Sequence, residues 1–288
     1  MKCKYVFYAM VITMVFSSCY SSRYLYNPPA HNVPVLIEKG DSKIAAYYSS
    51  NLSSNSSFEN NGNLKKNNSV AFDLQAAYAL SNHIALQALY TKRTEQNFAD
   101  YNLNSFDTSI QHFNNQLTEF GIGYFTYMRS NKKVIFQIFA GAGKGSSSFT
   151  DEYQTPGNPA HKRFMNVDVT KFYLQPSFIV RYRNNFTTSI SNRVSFINFS
   201  NTQTDYSPDE IKAYRLASLD QETSIFWEPA FSNVIGIKKI PGLQFEIQMG
   251  ISFILSQRPI DYRSFNASAG VVLDLPKLFK GNTPDQKN

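Results

Sequence analysis

Few residues in this chain have types and spacing suited to chemistry. There are four histidines, His31, His83, His112 and His161. Asp107 with His112, and Asp151 with His161, have the composition of acid–base pairs that could activate water between them. Their spacing is generic, and no HExxH, GxSxG or glycine-rich phosphate loop accompanies them. The reading is therefore solvated loop histidines, with no catalytic set, metal site or cofactor expected. The two cysteines are Cys3 and Cys19. Neither spacing nor number suits a zinc site or a disulfide framework.

The cysteines belong instead to an address. Lys2 and Lys4 precede an apolar stretch from Tyr5 to Phe16, which is followed by Ser17-Ser18-Cys19. A short basic region, a short apolar region and small residues make a secretory signal over 1–18, too short to span a membrane as a helix. Phe16-Ser17-Ser18-Cys19 resembles a bacterial lipobox, with Phe16 in place of the usual Leu. Cys19 is then expected to carry lipid, which leaves the mature chain without a thiol. From Cys19 to Asp41 the sequence is polar and holds Pro28, Pro29 and Pro34. It reads as a tether, residues 19–41.

Composition sets the class. The 288 residues are 42% hydrophobic, 15% aromatic and 17% charged, with a formal net charge of +7. So many apolar residues exclude a disordered chain. Charged residues are scarcer than the roughly 25% of soluble domains. No apolar run reaches the roughly 18 residues of a membrane helix. Positive charge is not gathered into blocks, so no nucleic-acid partner is expected.

From Ser42 onward one pattern recurs, an apolar residue at every second position. Leu243, Phe245, Ile247, Met249, Ile251, Phe253 and Leu255 alternate with Gln244, Glu246, Gln248, Gly250 and Ser252. Ten strands are predicted, at 42–50, 69–80, 83–93, 116–128, 133–146, 170–182, 186–199, 223–237, 243–256 and 264–275. Connections alternate between short ones (81–82, 129–132, 183–185, 238–242) and long polar ones (51–68, 94–115, 147–169, 200–222), with 257–263 of intermediate length. The fold class that follows is all-β. It is an antiparallel up-and-down transmembrane β-barrel over 42–275, with short periplasmic turns, long extracellular loops and a polar tail at 276–288.

Alternation alone does not say which face is inside. A soluble lipocalin-like barrel would turn the apolar face inward. Three features favour lipid. The polar phase carries charges of both signs, Asp73, Glu119, Glu228 and Glu246 against Arg181 and Arg193, which predicts a paired network in the lumen. Gly121, Gly123, Gly141, Gly143 and Gly250 share that phase and make room for it. Aromatic residues crowd the strand ends as an interfacial belt, among them Tyr47, Tyr78, Tyr90, Tyr127, Phe172, Tyr182, Phe186, Phe199, Trp227 and Phe265. Pro176 and Pro229 interrupt the apolar phase and predict bulges.

Several short motifs resemble an uncharacterised family of Bacteroidetes-type lipoproteins predicted to form outer-membrane β-barrels. They are Tyr26-Asn27-Pro28-Pro29, Leu174-Gln175-Pro176-Ser177-Phe178, Ser191-Asn192-Arg193-Val194-Ser195-Phe196, Trp227-Glu228-Pro229-Ala230 and the Gln-Phe-Glu-Ile-Gln stretch at 244–248. The resemblance covers most of 19–275 and implies location and fold, with no catalytic residues. Tyr20-Ser21-Ser22-Arg23 lacks the acidic residues that follow the lipidated cysteine in surface-exported members, which implies a periplasmic N terminus.

The expected role is structural, or binding of an external ligand or envelope protein through the long loops, with membrane lipid as the certain neighbour of such a fold. Three alternatives are a rim-acting outer-membrane enzyme, a narrow solute or ion pore, and a soluble periplasmic binder. Ten strands leave a lumen largely filled by side chains, which disfavours free diffusion.

Overall fold

The computed structural model describes residues 23–50, 56–58, 64–66, 68–102, 105–128, 133–154, 161–183, 185–217, 219–256 and 260–280. The signal region 1–18 and Cys19 lie outside them. Ten strands are β1 (Ser42–Ser50), β2 (Asn68–Ala79), β3 (Ile84–Asn102), β4 (Ser105–Tyr127), β5 (Val134–Gln154), β6 (His161–Arg183), β7 (Phe186–Thr204), β8 (Ser224–Gly236), β9 (Leu243–Ile251) and β10 (Phe265–Asp274). Each pairs antiparallel with its sequence neighbour, and β10 pairs with β1, Lys43 opposite Asp274 through Ser50 opposite Ala267. The sheet closes on itself as a barrel. Short helices are α1 (Pro208–Ala213) beyond the long-strand end and α2 (Leu275–Lys280) at the short-turn end, in part of the expected polar tail.

The alternating phase points outward. Phe245, Ile247 and Ile251 are 49%, 54% and 43% exposed, while Glu246 and Arg193 are 1% and 0% exposed. On β6 the outward apolar run from Phe172 to Tyr182 covers about 33 Å of strand, or about 25 Å of height at a tilt of about 40°. That is the height of a hydrocarbon core seen by a barrel.

Four strands run further than the apolar pattern predicts. The expected loops 94–115 and 147–169 are largely strand: β3 continues to Asn102 and β4 begins at Ser105, while β5 continues to Gln154 and β6 begins at His161. Beyond the lipid band the phase inverts. Thr118, Lys144, Thr170 and Asn198 form one registered row facing out. The next row toward the band is Phe120, Ala142, Phe172 and Phe196. Past the polar row the outward residues are His112, Asn114, Asn166 and Asp168, and the inward ones Phe113, Phe149, Met165 and Val167. Beyond the lipid band β4, β5 and β6 thus turn Phe113, Phe149, Met165 and Val167 inward, while β3 keeps Arg93 and Glu95 inside.

The prolines do not cause bulges. Register is the same on both sides of Pro176, since Leu174 faces Val194 and Ser177 faces Ser191. Pro229 faces Asn192 in ladder. Pairing of β9 with β8 stops at Gly250 opposite Ala230 and resumes in unchanged register at Phe253 opposite Trp227, so the ladder lapses beside Pro229. Register shifts fall elsewhere, between Asn166 and Asp168 and between Arg181 and Arg183.

The largest departure from the sequence reading is the segment before β1. Residues 23–41 are not a free periplasmic tether but run inside the barrel. Arg23 to Tyr26 sit at the long-strand end, where Arg23 meets Asp151 and Tyr26 bridges Tyr262 in parallel. Val33 and Leu36 pack at the opposite end against Phe125, Ile135, Phe139 and Ile179. The Gly40 amide then bonds the Ala79 carbonyl beside the short turns. Pro28, Pro29 and Pro34 keep this strap extended and remove three amide donors that a sealed lumen would otherwise have to satisfy.

Candidate functional site: the sealed lumen

The strap is gripped from around the wall. Asn266 Nδ2 on β10 donates to the Pro28 carbonyl at 3.2 Å. On β2, Gln75 Nε2 donates to the Ala30 carbonyl at 3.1 Å, and Asp73 accepts from the Ala30 amide at 3.3 Å. Gln248 on β9 accepts from the His31 amide at 2.5 Å and donates to the His31 carbonyl at 3.1 Å. His31 Nδ1 lies 2.7 Å from Ser191 Oγ on β7. Asn32 Nδ2 donates to the Ala76 carbonyl at 2.9 Å, and Gln175 on β6 donates to the Asn32 carbonyl at 2.8 Å.

Five of the six charged residues expected in a lumen network are buried there, but they form separate groups. The central one is Glu119, Lys171, Arg193 and Glu228. Lys171 Nζ stands 2.9 Å from Glu119 and 4.0 Å from Glu228, and Arg193 Nη1 stands 3.8 Å from Glu119. Arg193 also clamps Gln175 Oε1 at 2.9 and 2.7 Å. Tyr26 donates to Glu228 at 2.5 Å and accepts from Lys171 at 3.0 Å. The circuit therefore starts on the strap at Asn32, crosses four strands and returns to the strap at Tyr26.

Glu246 pairs instead with Lys43 at 3.2 Å and accepts from Tyr47 at 2.6 Å. Asp73 accepts from Ser49 at 2.9 Å and from Thr91. Arg181 does not join them. It is half-buried at the short-turn rim, its amide bonded to the Lys133 carbonyl.

Sequence reading missed Lys43, Arg93, Glu95, Lys171 and Arg263, and did not place Asp151 in the lumen. Lys43 and Lys171 were legible, since each shares the inward parity of its strand. Tyr47 and Phe199, expected in the interfacial belt, point inward on that same parity and are buried. Tyr78, Phe172, Tyr182 and Trp227 do face outward. At the outer end Glu95 binds Arg263 and the Tyr24 hydroxyl, and Asp151 binds Arg23 at 2.5 Å and Tyr206 at 2.5 Å. Among the described residues the buried acids are Asp73, Glu95, Glu119, Asp151, Glu228 and Glu246, and the buried bases are Arg23, Lys43, Arg93, Lys171 and Arg193, with the partly buried pairs Arg263–Glu95 and Arg215–Asp261 at the outer end. Charges of both signs face one another, as burial of charge requires.

Apolar seals lie on both sides of this layer. Tyr24, Phe113, Phe149, Tyr206, Leu216 and Ile260 close the outer mouth. Leu36, Phe125, Phe139 and Ile179 close the inner one. Glycines let the filling approach the wall: a Cβ on Gly121 or Gly141 would strike Tyr173, and one on Gly270 would strike Tyr47. Two small cavities beside the strap measure about 20 and 10 Å³. Each is room for about one water.

The histidines are not brought into acid–base pairs. His112 is exposed on β4 opposite Gln96 and Thr150. Asp107 lies where side chains fall outside the described residues. His161 is exposed at the start of β6, while Asp151 is buried against Arg23. Among the described residues no cluster of three or more His, Cys, Asp or Glu is placed to hold a metal ion.

The fold is that of an outer-membrane β-barrel. No family model and no curated protein matches the chain. Solved structures do. The outer membrane protease OmpT from Escherichia coli is 12% identical, with 82% of this chain and 95% of that one covered and a TM-score of 0.41. The translocator domain of the autotransporter NalP from Neisseria meningitidis is 10% identical, with 84% and 88% covered and a TM-score of 0.45. An outer membrane channel from Pseudomonas putida F1 is 9% identical, with 85% and 99% covered and a TM-score of 0.37.

Proposed function

We propose that the chain is a lipid-anchored outer-membrane barrel that works as a closed body, with a structural role or a ligand- or partner-binding role at its outer hairpins. One observation carries the reading. The strap, the paired charges and two apolar seals fill the lumen, so the barrel wall and rim are what other molecules meet. Lipid at Cys19 is supported by the lipobox-like Phe16-Ser17-Ser18-Cys19 and by the resemblance to Bacteroidetes-type lipoproteins.

On the outer hairpins an open cleft of about 560 Å³ is lined by Ser146, Ser148, Asn166, Asp168, Asn201 and Gln203. Its hydroxyls, amides and one carboxylate suit a polar, hydroxyl-rich ligand. The test combines two measurements on the full-length protein. Unboiled samples are expected to migrate as a compact species that boiling abolishes. The protein in planar bilayers is expected to pass no steady current. A steady open conductance would refute the closed-body reading, and absence of heat-modifiable migration would refute the membrane barrel.

A further inference from the structure

We propose that the chain is threaded through its own barrel from the outside inward, so that everything before Arg23, Cys19 included, is displayed on the outer face of the membrane. The direction follows from the described residues alone. Short turns mark the periplasmic rim of such barrels and long connections the outer one. The strap starts at the long side. Arg23 is held there by Asp151 on β5, with its guanidinium carbon 3.4 Å from the centre of the Tyr214 ring. The Leu25 amide donates to the Asp261 carbonyl, and the Arg263 amide to that of Tyr26. It ends at the short side, where the Ile37 amide donates to Asp41 Oδ2 at 2.6 Å and that of Lys39 to Asn82 Oδ1 at 3.0 Å.

Four residue steps separate Cys19 from Arg23, a reach of at most about 14 Å. A return to the periplasm would need about 56 Å of extended chain, the length of the strap itself. Among the described residues the cavities beside the strap, about 20 and 10 Å³, each hold about one water and not a second strand. The proposal departs from the periplasmic N terminus that Tyr20-Ser21-Ser22-Arg23 implied. Where Cys19 carries lipid, which rests on the function proposed above, the acyl chains belong to the outer side.

The test uses single cysteines in the full-length protein on whole cells. A membrane-impermeant maleimide is expected to label Ser21→Cys on intact cells as fully as after permeabilisation. Lys239→Cys, in the short turn after β8, is expected to label only after permeabilisation, and the parent chain not at all once Cys19 is acylated. An epitope inserted after Ser21 is expected to bind antibody on intact cells. Labelling of Ser21→Cys and antibody binding only after permeabilisation would overturn the proposal, as would labelling of Lys239→Cys on intact cells. Incorporation of labelled fatty acid, lost in Cys19→Ser, reads the lipid separately. Its absence sinks the lipoprotein reading and leaves the threading direction standing.

Discussion

Lys171 Nζ lies 2.9 Å from Glu119 Oε1, both side chains cut off from solvent between the strap and the wall. Removing one partner strands a charge in the barrel centre. Lys171→Met is expected to destabilise the barrel by about 3–5 kcal/mol. Lys171→Met with Glu119→Leu recovers part of that loss, because the second change removes the orphaned carboxylate. The midpoint of heat-induced unfolding on gels ranks the three proteins, and a single variant as stable as the parent would deny the pair its role.

The strap answers to a subtler change at Tyr26. Its hydroxyl accepts from Lys171 and donates to Glu228. Tyr26→Phe leaves both short of a partner, at a cost of about 1–3 kcal/mol. Deleting residues 24–36 goes further and takes the filling out of the lumen. Planar-bilayer recordings are expected to show ion current for the deletion and silence for the parent.

The outward face is tested at Ile247, midway along β9 and 54% exposed. Ile247→Arg is expected to cost about 2–4 kcal/mol in a membrane barrel. A soluble barrel would accept the arginine as one more surface charge. Yield of the folded, heat-modifiable species in outer-membrane fractions separates the cases.

Gly121 lies beneath the Tyr173 hydroxyl, which itself accepts from Gln87 at 2.9 Å. Gly121→Ala forces the ring aside and is expected to destabilise by about 1–3 kcal/mol. Tyr173→Phe in the same background removes the obstructing oxygen and restores part of the loss. Thermal midpoints of the two variants decide it.

Outside the membrane, α1 offers a pH handle. Ser207 donates to the Glu210 carboxylate from its amide at 2.8 Å and from its hydroxyl at 2.7 Å. These bonds hold the Glu210 carboxyl below its ordinary value of 4.5. A lowered acid stabilises the helix above that ordinary value and ceases to as pH falls through its own. Protection of the 208–213 amides, measured against their intrinsic exchange rates, is therefore expected to fall as pH drops below 4.5 while that of β4 is retained.

All ten strands were legible because lipid on one side and a polar lumen on the other impose alternation. The predicted ends at 116, 146, 170 and 199 fall within a few residues of the row Thr118, Lys144, Thr170 and Asn198. Past it the strands continue with the opposite phase, and a reader following one apolar phase loses them. Parity alone marks Lys171 and Lys43 as inward, as it did Glu119 and Glu246. Arg181 has the same parity but lies too near the short turns to be enclosed. The strap carried no such signal. Its alternation is absent because it is surrounded by protein, and its prolines read equally as a linker in water.

Strap and wall are one continuous chain, joined at Asp41 and Ser42, and β1 is also half of the closing seam with β10. A hoop cannot be fastened first and then strung with a segment bearing residues as bulky as Tyr24 and Tyr26. The earliest-made part of the folded chain must already be seated when the last strand zips onto β1. Once that seam shuts, the N-terminal end is locked in place, and withdrawing it means opening the barrel.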